Sequence, residues 1–125
     1  MTTTLPARPV DRDEVRGLLE GMYLDLTREC EQATTTLTEV GRAADHGGDD
    51  EVDVGAKTAE REQQLSLVAA LRERISQVER ALERVDAGGY GVCDRCDRPI
   101  TPERLDAFPS ATLCVDCKRA DERRT

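Results

Sequence analysis

Four of the five cysteines fall in two short pairs, Cys93-x2-Cys96 and Cys114-x2-Cys117, with 17 residues between the pairs. That is the spacing of a zinc ribbon. Each short pair can bend back and present two thiolates to one side, and two pairs complete a tetrahedron around Zn²⁺. Four protein sulfurs close the coordination shell and leave no position for an activated water, so the metal is structural, one ion per chain. Gly89, Gly91, Pro99 and Pro102 supply the turns such knuckles need. Two disulfides are the competing use of the same residues, and they belong to exported chains. The opening MTTTLPARPV has neither the basic start nor the apolar stretch of an export signal.

No other constellation reads as catalytic. The fifth cysteine, Cys30, sits on an apolar stripe as a small filler, with a reactive thiol as the alternative. His46, the single histidine, stands beside Gly47-Gly48 at a helix end with no Ser or Cys to pair with. With a closed metal shell and no nucleophile beside a base, the chain is expected not to be an enzyme.

The elements that must carry the cysteines follow from composition and period. The chain has 125 residues, 38% apolar and 35% charged, with no Trp, one Phe and two Tyr. So few bulky side chains cannot close a wide core, and a long, narrow helical body buries them at least cost. No run approaches the ~18 consecutive apolar residues of a membrane span, and a soluble, cytoplasmic protein is expected.

Residues 1–10, with Pro6 and Pro9, read as a flexible leader. Asp11 then offers an N-cap with Glu14 three residues on. Val15, Leu18/Leu19, Met22, Leu26, Cys30, Ala33, Leu37, Val40 and Ala44 recur in steps of three and four, with a stutter near Leu26 and Cys30. Thr34, Thr35, Thr36 and Thr38 lower the intrinsic helicity of that arm, so packing must hold it. Gly47-Gly48 and the acidic run Asp49 to Asp53 read as a turn. A second stripe carries Leu65, Val68, Leu71, Ile75, Val78, Leu82 and Val85, and stops at Ala87-Gly88-Gly89.

The spacing predicts a mostly α fold: an antiparallel coiled-coil hairpin over 11–88, a four-cysteine zinc-finger segment over 89–125, and a short basic C-terminal helix leaving the last knuckle. Arms of ~30 residues at ~1.5 Å each give a rod of roughly 45 Å. Tyr90, Ile100, Leu105, Phe108 and Leu113 are the few core residues of the finger.

Charge is uneven. Residues 1–50 hold 5 basic and 11 acidic side chains, residues 51–88 hold 6 and 8, and residues 89–125 hold 7 of each. The acidic N-terminal part would be repelled by phosphates, which weighs against a stand-alone DNA binder.

The run Tyr90-Gly91-Val92-Cys93-Asp94-Arg95-Cys96, followed by Pro99-Ile100, Glu103-Arg104-Leu105, Ala107, Pro109 and Ala111-Thr112-Leu113-Cys114-Val115-Asp116-Cys117, resembles the signature of the DksA/TraR zinc-finger regulators of bacterial RNA polymerase. With the preceding hairpin the resemblance covers residues 11–120 and is closer to the family's long-hairpin members. It implies a transcription regulator that binds RNA polymerase without binding DNA. Its hairpin enters the secondary channel and sets an acidic tip near the catalytic centre, altering promoter open complexes. The family's tip pattern, Asp-x-x-Asp-x-Ala, falls on Asp50 to Gly55, with Asp50 and Asp53 matched and Gly55 in place of alanine. An acidic turn that only solvates the chain and caps the second helix is the plainer use of these residues.

The same register puts Gln77, Phe108 and Lys118 at the basic positions that contact ppGpp in the family. Only Lys118 keeps its charge, and a phosphate-rich ligand loses two of its three cationic partners. A zinc-ribbon nucleic-acid-binding or adaptor protein is the alternative, favoured if Arg95, Arg98, Arg104 and the tail share one basic face.

Overall fold

The computed structural model describes residues 11–45 and 51–123, with 43–45 and 51–53 by their backbone alone. Four helices follow in order: α1 (Arg12–Asp45), α2 (Glu51–Ala87), α3 (Pro102–Ala107) and α4 (Val115–Arg123). Among the described residues there is no strand, only an isolated antiparallel bridge between Val92 and Pro99. The first two helices are the arms of the expected hairpin. The chain divides into two compact units, one of Met1–Tyr23 with Ser76–Thr125 and one of Leu24–Ile75.

In the first unit, α1 starts where a carboxylate can cap it. Asp11 Oδ1 accepts the backbone N–H groups of Asp13 and Glu14 at 3.1 and 3.4 Å, and its carbonyl takes the first helical bond from Val15. Leu19 of α1 and Val78, Ala81 and Val85 of α2 are buried. In the second unit the buried residues are Leu26 and Ala33 of α1 with Val68 and Leu71 of α2. Leu19, Leu26 and Ala33 recur every seventh residue, as do Leu71, Val78 and Val85, which is the signature of a two-helix seam.

The seam differs from the expected stripes in detail. Leu65 is 48% exposed and Leu18 52% exposed, while Ile75 and Leu82 are only half-buried and Ala81 is closed off instead. A two-helix seam encloses only a narrow line of positions, such as Val68 with Leu71 and Val78 with Ala81 on α2, and leaves the flanks open. The small Ala81 lets the helices approach, which a hydropathy stripe does not register. No stutter interrupts α1: Cys30 is a half-buried flank between Leu26 and Ala33. The threonines stay within the helix, and Thr34, Thr35 and Thr38 each donate to the carbonyl four residues back at 2.8 to 3.0 Å.

α2 begins at Glu51, so Glu51 to Asp53 belong to a helix rather than to the expected turn. Acidic residues in a first turn suit the positive end of the helix dipole. The leader 1–10, His46, the glycine pair Gly47-Gly48 and Asp50 lie outside the described residues, as does the side chain of Asp53.

The other end of α2 closes as a Schellman turn. Gly89 N–H donates to Arg84 O at 2.8 Å and Gly88 N–H to Val85 O at 3.2 Å, with Gly88 at φ +80°. Arg12 of α1 donates to Val85 O at 2.8 Å and Asp86 O at 3.2 Å, and Arg16 pairs with Asp86. α1 thus caps the orphan carbonyls at the end of its partner.

α3 was not expected, although its start is legible: Thr101 Oγ1 accepts Arg104 N–H at 3.3 Å, and Pro102 occupies the first turn. α4 begins at Val115 inside the second cysteine pair, earlier than a helix leaving the last knuckle would.

Candidate metal centre

The first knuckle turns between Gly91 and Ile100. Ile100 N–H donates to Gly91 O at 2.8 Å, Cys93 N–H to Arg98 O at 2.8 Å, and Asp97 N–H to Cys93 O at 3.0 Å. The turn needs a left-handed residue after Cys96, and Asp97 supplies it at φ +61°, a region that Asp tolerates better than most residues. In the second pair, Lys118 N–H donates to Cys114 O at 2.9 Å, so Cys117 stands on the first turn of α4. Asp94 N–H donates to Thr112 O at 2.8 Å and joins the two halves.

This brings all four predicted cysteines together. Their Sγ atoms lie within 4.8 Å of one another, and the Cys96 and Cys114 sulfurs are 3.7 Å apart. Bonds of ~2.3 Å to a tetrahedral Zn²⁺ would place sulfurs about 3.8 Å apart. None of the four is in a disulfide. Burial pushes the Cys93 thiol up, but the backbone amides of Cys114, Cys96 and Arg95 outweigh it and hold the thiol well below its usual range. The neighbouring Cys114 thiol, followed by burial, pushes Cys117 up. Four adjacent sulfurs cannot all become anions without a cation among them, and a divalent soft-accepting metal is the cation this donor set fits.

Under the cluster the core is small: Cys93, Ile100, Ala111 and Thr112 are buried, and Tyr90, Leu105 and Leu113 are half-buried. Tyr90 OH donates to Pro109 O at 2.7 Å. Phe108, expected in this core, is 60% exposed. The Arg104 guanidinium lies 5.7 Å from its ring centroid while Arg104 Nε donates to Leu113 O at 3.0 Å. A cation approaches one face of the ring, which otherwise stays open to solvent.

Two residues outside the cluster also hold the finger to α2. Gln77 Nε2 donates to Ser110 O at 2.7 Å and Thr112 Oγ1 at 3.2 Å, and its Oε1 accepts Arg80 at 2.6 Å. Arg84 reaches the first knuckle through Asp94, Gly89 and Val92. Sequence reasoning missed Arg84; the one available signal, the Gly88-Gly89 doublet, reads as a helix stop. Lys118 is exposed on α4.

The sequence pattern of the prokaryotic DksA/TraR C4-type zinc finger matches residues 88–123. Over 109 residues, 87% of this chain and 70% of the relative, it is 34% identical to the RNA polymerase-binding transcription factor DksA of Escherichia coli K12. This chain belongs to the DksA/TraR family. The DksA of Caulobacter vibrioides NA1000 is 43% identical over 53 residues, 42% of this chain, and that match spans only 37% of the relative. The structure of transcription factor DksA2 from Pseudomonas aeruginosa superposes with a TM-score of 0.74 at 29% identity, covering 95% of this chain and 88% of that one. The long-hairpin DksA fold with one structural zinc in a C4 finger is therefore the fold of this chain. No helix among the described residues is long and apolar enough to cross a membrane.

Proposed function

We propose that this DksA/TraR family member is a transcription regulator that binds RNA polymerase through its secondary channel and modulates promoter open complexes. Cys93, Cys96, Cys114 and Cys117 hold its zinc, which contributes no chemistry beyond fixing the finger. Asp50 and Asp53, with Gly55 beside them, form the tip that reaches the catalytic region. The observation that carries this reading is the likeness to an RNA polymerase-binding factor over 87% of the chain, through hairpin and finger alike.

DNA is not a direct partner in this reading. The finger's basic and acidic side chains balance, and two of its arginines are already engaged within it, the exposed Arg95 with Asp121 at 3.3 Å and the half-buried Arg104 with Leu113 O. Lys118 is the one basic group at the ppGpp positions; the Gln77 amide is committed to Ser110 and Thr112. The protein works in the cytoplasm, where the polymerase is. Pull-down on purified core polymerase, run beside a DNA gel shift at physiological salt, tests the reading. Retention on polymerase with no DNA shift is expected. A DNA shift without polymerase retention would favour the nucleic-acid-binding alternative.

A further inference from the structure

Arg84 lies one helical turn before the end of α2 and grips the first knuckle on both sides of its buried ligand. Its Nη1 donates to Asp94 Oδ1 at 3.0 Å, and its Nη2 donates to Val92 O and Gly89 O, both at 3.1 Å. Val92 and Asp94 flank Cys93, the fully buried member of the metal set. The Arg84 Nε is buried with no hydrogen-bond partner, so the guanidinium is pressed in deeper than its own donors favour.

Gly89 shows what that approach requires. A Cβ there would stand 2.9 Å from Arg84 Cζ and 3.0 Å from Nη2. Gly88 and Gly91 have positive φ, and Gly89 does not. Its backbone lies outside the left-handed region, so what a side chain there would meet is the guanidinium, which would have to move aside.

The same helix end is held from the other side. Arg84 O accepts Gly89 N–H, Val85 O and Asp86 O accept Arg12 of α1, and Asp86 pairs with Arg16. All of these residues belong to one compact unit.

We infer that Arg84 couples metal occupancy of the four thiols to the base of the hairpin, by fixing the last turn of α2 and with it that turn's contacts to α1. Metal holds Cys93 and therefore Val92 and Asp94 in place; without it Arg84 loses its fixed acceptors, and the end of α2 loosens. Linkage makes the effect reciprocal, so an intact Arg84 also tightens metal binding. A lysine cannot replace it, because one ammonium does not present the planar fork that spans three acceptors. The inference rests on the metal site and is independent of the partner the protein binds.

The test uses the full-length protein, with Zn²⁺ affinity measured by competition against a chromophoric chelator. Amide exchange at Val15 to Leu19 and Arg84 to Gly89 is followed with and without metal. In the wild type, metal removal should speed exchange at both stretches about tenfold, inside the usual range for coupled sites. Arg84→Gln and Gly89→Ala should each lower Zn²⁺ affinity about tenfold and make both stretches insensitive to metal. The double variant should be no worse than Arg84→Gln, since Gly89→Ala acts only by displacing that guanidinium. Unchanged affinity in Arg84→Gln, or a Gly89→Ala effect that adds in full to the double variant, would overturn the inference. Should Arg84→Gln fail to take up zinc, Gly89→Ala alone decides: lowered affinity supports the coupling and wild-type affinity overturns it.

Discussion

Leu18 and Leu19 are the same residue type, side by side on α1, with opposite surroundings: Leu18 is 52% exposed and Leu19 is 0% exposed. Leu19→Ala should cost about 2–5 kcal/mol, from lost burial plus the cavity it leaves. Leu18→Ala should stay within about 0.5 kcal/mol, as ordinary surface changes do. Urea unfolding of the two variants checks this, and equal shifts would mean that the seam runs along a different face. Tyr90 gives a pH prediction. Its burial, and then the Asp106 carboxylate, raise its phenol above the ordinary value. The unfolded chain ionises first, so stability should fall as pH rises from about 10 through the folded value. Tyr90→Phe should remove that part of the alkaline loss. Thermal melts of zinc-loaded wild type and variant across that range measure it.

Helix ends are where single residues act on whole elements. Gly55 lies inside α2 with nothing within 4 Å of a would-be Cβ. Gly55→Ala should therefore stabilise the start of α2 by up to ~1 kcal/mol, and slower amide exchange around it would show this. Gly88, at φ +80°, should respond in the opposite sense, with Gly88→Ala losing ~1–2 kcal/mol. The element pattern was legible wherever chemistry marks it locally. Asp11 announces α1, Ala87-Gly88-Gly89 ends α2, and the two Cys-x2-Cys pairs announce a shared metal site that the structure brings within one cluster. What was not legible depends on neighbours distant in sequence. Leu82 outranks Ala81 in hydropathy, yet the close approach of two helices buries the alanine. Phe108 reads as core, yet it stands 60% exposed with Arg104, fixed by Leu113 O, beside its face. Gln77 and Arg84 carry no motif, because their acceptors are backbone carbonyls and side chains supplied by the fold.

At the scale of the whole molecule, the roles proposed for the metal and for the tip can be tested separately. Removing zinc with a chelator should unfold the finger, whose core is too small to stand alone, while the helices of the Leu24–Ile75 unit keep their circular dichroism. Simultaneous loss of all helical signal would contradict the division. Asp50→Asn with Asp53→Asn neutralises two carboxylates while keeping side-chain size, so stability should change little. Polymerase binding should persist through the remaining hairpin and the finger. The most direct measurement is therefore the lifetime of promoter complexes on the cognate RNA polymerase, with wild type and the double Asn variant compared at equal, saturating occupancy. The wild type should change that lifetime, and the double Asn variant should largely lose the effect. A wild-type protein that leaves the lifetime unaltered, or a double variant that alters it as much as wild type does, would contradict the account.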